Sequence, residues 1–254
     1  MRGTGDRVLR GSGLRVRSGS ATSVGRVRDH NEDALLDEGL VFAVADGMGG
    51  HAAGEVASRI AIEALAHLVD HPPSREGDVV AALREANDGI LRSQERDPGQ
   101  RGMGTTVTGL TVLDAGEGEH WVVFNIGDSR VYRVAGDRLH QVTHDHSEVR
   151  ELLDAGLIDE EEAARHPMRN VITRSLGSGQ APDPDVWELP PEAGERFIVC
   201  SDGLSNELDD DEIARIALEH ADPQSAADEL VAAAVRAGGR DNVSVVVVSV
   251  DPAE

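Results

Sequence analysis

Residues Val41 to His51 read VFAVADGMGGH: five residues of buried-strand character, then an aspartate, then glycines. An Asp-Gly pair between two alternating strands is a hairpin signal, but that reading needs a second strand directly afterwards. The chain continues instead as AAGEVASRIAIEALAHLV, in which Ala53, Val56, Ala57, Ile60, Ala64, Leu65 and Leu68 recur at helical spacing. The unit is therefore strand, glycine turn, helix, with Asp46 at the rim where the strand stops.

Working outward, the segments group by type. Helical patterns over Ala53–Val69 and Asp78–Arg96 follow one another, and TTVTGLTVL, HWVVFNIGD, RVYRVAGDRLHQVT and RFIVCSDG are strand-like, with Gly136-Asp137 as a hairpin turn. Two more helical stretches, DDEIARIALEH and PQSAADELVAAAVRAGG, precede a last strand, NVSVVVVSV. Strands beside strands and helices beside helices predict an α+β fold with antiparallel sheets rather than alternating βαβ units. Residues 1–13, rich in Gly and Arg, read as a flexible tail before one domain over 14–254. The chain between Asp145 and Pro184 is short-helical and then loop-like, as in a flap beside a site.

Composition removes several function classes. The 254 residues carry a formal charge of −23 and only 2% aromatics, so phosphate backbones and anionic lipid surfaces are repelled and stacking platforms are few. Neither nucleic acid nor membrane is an expected partner of this segment. The single cysteine, Cys200, rules out an internal disulfide framework and suits a reducing, cytoplasmic setting. All 24 basic residues are arginine, which eliminates the lysine of phosphate-binding NTPase loops and every Schiff-base mechanism. A cysteine phosphatase would need an arginine where Asn206 stands, and no G-x-S-x-G elbow is present. Gly47, Gly49 and Ala52 fit a loose dinucleotide pattern, but a second helix follows where a Rossmann unit requires a strand.

Asp46 has counterparts. Asp128 closes WVVFNIGD, Asp202 closes RFIVCSD, and Asp241 precedes the final strand. Taken singly, each can be a solvated turn residue. Gathered at one rim they would repel one another unless hard divalent cations such as Mg²⁺ or Mn²⁺ neutralised them. The residues alone leave both readings open. In RVRDHNEDA, Asp29, Asn31 and Asp33 mimic the start of a calcium loop, but Ala34 and Leu40 stand where Gly and Glu are required. Arg28 is either a surface salt-bridge partner or a forked cation for a phosphate. His144 and His146, in a polar segment, read as solvated surface.

In order, RVRDHNEDA, VFAVADGMGGHAAGEVAS, GMGTTVTGL, NIGDSRVYRV, IVCSDGLSNEL and GGRDNVSVVVV resemble the motif series of the metal-dependent type-2C serine/threonine protein phosphatases, most closely the bacterial branch that opposes serine/threonine kinases. The resemblance spans about Ser20 to Val250. It implies a four-layer sandwich, two antiparallel sheets flanked by helical pairs, and hydrolysis of phosphoserine and phosphothreonine by a metal-activated water at a two-ion Mg²⁺ or Mn²⁺ centre. It implies Asp46 bridging the ions, the Gly47 carbonyl on the first, Asp202 and Asp241 on the second, and Asp128 with Asp202 on a weaker third. Arg28 would hold the phosphate, and Glu32 and Asp33 would orient metal-bound waters. The flap would run from 145 to about 181. Met48 replaces the histidine of animal members, and Asn170 stands where close relatives offer a serine near the third ion; the thioether of Met48 has no proton to give, and His51 lies close by. Phosphorylated proteins, a serine/threonine kinase among them, would be the partners of a monomeric enzyme. A catalytically weak phosphoprotein-binding scaffold of the same fold is the alternative, although such a scaffold has no chemical need for Arg28, Asp46, Asp202 and Asp241 together.

Overall fold

The computed structural model describes residues 7–9, 11–50, 53–114 and 118–252, so His51 and Ala52 lie outside the described residues. Its strands are β1 (Arg7–Val8), β2 (Leu14–Ser23), β3 (Asp33–Glu38), β4 (Val41–Met48), β5 (Gly104–Thr105), β6 (Val107–Asp114), β7 (Glu119–Ile126), β8 (Arg130–Ala135), β9 (Arg138–Gln141), β10 (Asp185–Leu189), β11 (Arg196–Cys200) and β12 (Val243–Pro252). Its helices are α1 (Ala53–Asp70), α2 (Glu76–Arg96), α3 (Glu148–Asp154), α4 (Glu160–Ala164), α5 (Asp202–Ser205), α6 (Asp210–Glu219) and α7 (Pro223–Ala237).

Two antiparallel sheets result. One runs β1-β2-β12-β11-β8-β9; the other runs β10-β7-β6-β4-β3, with β5 attached to β4. The period-2 alternation of side chains explains why both stack in the middle of four layers. In β4, Val41, Ala43 and Ala45 face α1 and α2, whereas Phe42 and Val44 face the other sheet. In β12, Val243, Val245 and Val247 pack on the α6 and α7 layer, whereas Val246, Val248 and Val250 meet Phe42, Leu110 and Trp121 across the sheet interface. Both faces of each central strand are dry, which is why VFAVA at 41–45 and VVVV at 245–248 are continuous apolar runs. Much of the acidic excess caps helices: Asp209 accepts from the Glu212 amide to start α6, and Asp222 accepts from the Ser225 amide to start α7.

The tail expected over 1–13 is corrected in part. Arg7 and Val8 pair with Val16 and Arg15 of β2, Leu9 is fully buried, and the Arg7 guanidinium stacks 5.4 Å from the Phe42 ring centre. Apolar burial and a cation–π contact hold these residues on the sandwich. No helix among the described residues is long and apolar enough to cross a membrane.

Candidate active site

Asp46 does not end its strand. β4 leaves β6 after Val44 and continues to Met48 by pairing Gly47 and Met48 with Thr105 and Gly104 of β5. The partner change spans Asp46, whose amide donates to Thr106 Oγ1 at 3.0 Å and whose carbonyl accepts from the Thr106 amide at 2.9 Å. Asp33 of β3 stands opposite Asp46 in register. Gly47 is squeezed between the Glu32 carbonyl and the start of α1; a Cβ there would lie 2.2 Å from the Gly54 oxygen, so only glycine lets the strand and helix meet.

The remaining acids arrive from the other side of the sheet interface. Asp128 lies in the turn that leads from β7 in one sheet to β8 in the other, Asp202 opens α5 just past β11, and Asp241 precedes β12. Hydroxyls and amides fix them. Ser201 Oγ donates to Asp33 Oδ2 at 2.8 Å and accepts from the Ser244 amide at 3.0 Å, tying the two sheets together. Thr106 Oγ1 and Ser129 Oγ lie 2.8 Å apart, linking the Asp46 and Asp128 backbones. Asn206 donates to Asp202 at 2.9 Å. Asn242 Oδ1 accepts from the Glu32 amide at 2.8 Å, while its amide group donates to the Val24 and His30 carbonyls. Asn206, Asn242, Thr106, Ser129 and Ser201 are not among the site residues expected from the sequence, Asn206 having served only to exclude a cysteine phosphatase; the only signal is their place inside the quoted motifs.

The cluster is starved of positive charge. Burial, followed by the repulsion of Asp33, Asp202, Asp128 and Asp241, lifts Asp46 well above the usual carboxylate range. Burial pushes Asp33 up to about 7 against the hydrogen bonds of Ser244 and Ser201, and pushes Asp128 up to about 8 with help from Asp202 and Asp145. Asp202 is raised by burial and by Asp241. Buried oxygens on three of them, Asp33 Oδ1, Asp128 Oδ1 and Asp202 Oδ1, have no hydrogen-bond partner. An all-carboxylate set with free lone pairs fits a hard, oxygen-preferring divalent cation. Among the described residues no three acidic, His or Cys side chains are already drawn together as a closed ligand set. The fit therefore rests on charge, desolvation and orphaned acceptors.

Arg28 reaches this cluster: its Nη2 donates to Asp241 Oδ2 at 2.7 Å, and the guanidinium remains half exposed. Glu32 enters through its backbone, the carbonyl accepting from Ser58 Oγ at 2.6 Å and from the Gly47 amide at 3.2 Å. Met48 is half buried beside the site and Asn170 is exposed in the segment after α4. Asn170, Arg169 and Arg150 line a cleft of about 740 Å³ whose opposite wall includes Asn206, Arg240 and Asp241. His144, paired with Asp154 at 2.6 Å, is exposed as expected, but His146 is not solvated: it is 5% exposed and bonded at both ring nitrogens, because its segment folds back against the β7–β8 turn.

A sandwich of two antiparallel sheets with paired helices outside, and an acidic cluster where the two sheets meet, defines a class, and the chain belongs to it: residues 22–234 match the family model of protein phosphatase 2C. It is 41% identical over 241 residues to the serine/threonine protein phosphatase PstP of Mycobacterium tuberculosis, covering 93% of this chain and 45% of that protein. It therefore spans about half the length of that relative. Protein phosphatase PhpP of Streptococcus pneumoniae is 35% identical over 239 residues, covering 91% of this chain and 96% of PhpP. Among solved structures, the catalytic domain of PstP in complex with two manganese ions superposes with a TM-score of 0.85 at 39% identity, covering 94% of this chain and 99% of that one. The Ser-Thr phosphatase MsPP from Mycobacterium smegmatis in complex with cacodylate gives 0.82 at 35% identity, with 96% and 99% covered.

Proposed function

We propose that this chain hydrolyses phosphoserine and phosphothreonine in proteins, with Mg²⁺ or Mn²⁺ held by Asp46, the Gly47 carbonyl, Asp202 and Asp241, and a weaker ion at Asp128 and Asp202. The observation that carries the reading is the set of orphaned, desolvated carboxylate oxygens of Asp33, Asp128 and Asp202 in a cluster that also holds Asp46 and Asp241. When bound, such ions supply Lewis acidity and a water acidified toward neutrality. The chain's own residues do the rest. Arg28 offers two fork nitrogens to phosphate oxygens once it leaves Asp241, and brings positive charge that an acidic protein otherwise lacks. Ser201 keeps one oxygen of Asp33 occupied and leaves the other facing the cluster, where Asp33 and Glu32 would orient water. Met48 offers no proton, so the leaving serine or threonine oxygen takes its proton from a water or from another residue.

Residues 14–254 would form the catalytic unit, with the segment from Asp145 to about Ala181 as a flap over the cleft and Asn170 on its surface. Every acid of the cluster comes from one chain, so a monomer suffices. The substrates would be phosphoproteins, and a serine/threonine kinase is the natural counterpart, because it installs each phosphoryl group removed. Hydrolysis of a phosphothreonine peptide tests the proposal: turnover with Mn²⁺ or Mg²⁺ and none in excess chelator is expected, and full turnover in chelator would overturn it.

A further inference from the structure

His146 is held on every polar side. The Gly127 amide donates to its Nδ1 at 3.0 Å, so that nitrogen carries no proton, and its Nε2 donates to Asp185 Oδ2 at 3.2 Å. A protonated ring could not accept at Nδ1, and burial lowers the ring's basicity in the same sense. The backbone repeats the attachment: the His146 amide donates to the Gly127 carbonyl at 2.9 Å, and the His146 carbonyl accepts from the Thr173 amide at 2.9 Å. Next to it, Ser147 bridges Ile172 and the Glu148 amide donates to the Val171 carbonyl. Asn125, at the end of β7, adds two bonds of 3.0 Å from its Nδ2, to the carbonyls of Gly127 and His144. On the return stem, Arg174 donates to the other oxygen of Asp185 at 3.0 Å.

The turn gripped in this way is the one that carries Asp128. Gly127 has φ +112°, and a Cβ there would lie 2.5 Å from Thr106 Cγ2, so the turn is pressed against Thr106 on one side and tied to His146 on the other. Asp128 projects from it with one buried oxygen unpartnered. We propose that His146 is a positioning residue that fixes the Gly127–Ser129 turn, and with it Asp128, to both stems of the 145–181 flap. Movement of the flap stems then changes where Asp128 stands, and an ion or substrate that draws on Asp128 biases the flap in return. This rests on the proposed function for its catalytic consequence, but the mechanical link stands apart from it.

Two near-isosteres separate the ring's two bonds. In His146→Asn the side-chain oxygen can take the place of Nδ1 and accept from the Gly127 amide; in His146→Gln the amide sits nearer Nε2 and reaches Asp185 but not Gly127. Amide hydrogen exchange of the whole chain in chelator reads the link without activity. The Gln variant should exchange the Gly127–Ser129 amides about tenfold faster than wild type, as expected for losing one buried hydrogen bond, whereas the Asn variant should keep them within about twofold. Turnover of the phosphopeptide should follow the same order, with the Gln variant needing more Mn²⁺ for half-maximal rate at little change in peptide KM. Asp185→Ala, which leaves the Gly127 bond in place, guards against a Gln variant that fails to fold; it should loosen Thr173 more than Gly127. Unchanged exchange at Gly127–Ser129 in the Gln variant, or equal damage from Asn and Gln, would overturn the link. A wild-type chain that shows the exchange pattern but no metal-dependent turnover would overturn the functional reading alone.

Discussion

The two ends of β11 carry carboxylates in opposite circumstances. At its start, Glu195 is 2% exposed and fully provided for: Trp121 Nε1 donates to Oε1 at 2.9 Å, the Glu192 amide donates to the same oxygen, and Arg133 Nε donates to Oε2 at 2.7 Å. Just past its end, Asp202 has one donor, Asn206, one orphaned oxygen, and the charges of Asp241 and Asp46 beside it. Burial raises both groups; at Glu195 the Glu192 amide, Arg133 and Trp121 all bond the carboxylate and oppose the rise, whereas Asp202 has the Asn206 amide and the charge of Arg28, which is bonded to Asp241 instead. A protein that satisfies one acid so completely and leaves the other with an orphaned oxygen and no cation bonded to it has one end built for structure and one for an outside partner. Stability and function are thus separated along five residues of one strand.

Breaking the functional end should have the largest effect. Asp46→Asn and Asp202→Asn should each reduce metal-supported turnover by at least ~100-fold, the scale of losing a key electrostatic contact in a transition state. Each should leave the chelator-treated protein as stable as wild type or more so, because a repelling charge is gone. Near-normal phosphopeptide hydrolysis in both variants would misplace the site. Breaking the structural end should do the reverse. Glu195→Ala leaves Trp121 Nε1 and the Glu192 amide without their acceptor and Arg133 with only the exposed Glu192, and should cost roughly 1–3 kcal/mol of unfolding free energy in urea titrations, with the same dependence on added metal as wild type. A loss under 1 kcal/mol would show that the pair is not tightly built.

Arg28 lies between the two cases, since it already has a carboxylate partner. Arg28→Ala should raise the peptide KM or lower the rate by an amount worth roughly 1.5–3 kcal/mol while leaving residual turnover, because the acids remain. Unchanged kinetics would reduce it to a surface ion pair.

The pH dependence of stability sharpens the comparison without any kinetics. Asp33, Asp46, Asp128 and Asp202 have carboxyls raised in the folded chain, Asp33 to about 7 and Asp128 to about 8. Between the unfolded value and these, the folded chain binds more protons than the unfolded one. Stability in chelator should therefore fall as pH rises from about 5 to 8, by at most ~1.4 kcal/mol per pH unit for each proton released. Adding Mg²⁺ should raise the melting temperature more at pH 8 than at pH 5.5. A metal-free stability that climbs over this range would show that the acids do not repel one another in the folded protein.

Much of this was legible in the chain. Alternation and run length placed β4, β6, β7, β8, β9, β11 and β12 but not β1, β2, β3 or β10, whose polar residues hide the pattern; VFAVA announced a buried strand, and the grouping of like elements excluded βαβ units. The absence of any lysine excluded Schiff-base chemistry, while the strand-end aspartates left turn and metal-ligand readings open until the motif series resembling a phosphatase family joined them. These properties are local: periodicity and turn chemistry depend on residues a few positions apart, and any observer of the chain can count them.

The meeting of the acids was not local. Asp33 and Asp46 belong to strands of one sheet, and Asp202 and Asp241 flank strands of the other, just past β11 and just before β12; no spacing in the chain says which edges face each other. Only the packing of Phe42, Trp121, Phe197 and Val246 between the sheets brings them within repelling distance and removes part of their water. His146 failed as a solvated residue for the same reason. Its neighbours in sequence are polar, but its environment is made by Gly127, Asn125 and Asp185, which reach it through tertiary contacts with β7, β10 and the turn between sheets. Sequence thus determined which side chains were available at strand ends, while the tertiary structure alone decided which of them share a desolvated space, because burial and charge repulsion depend on distance through space rather than along the chain.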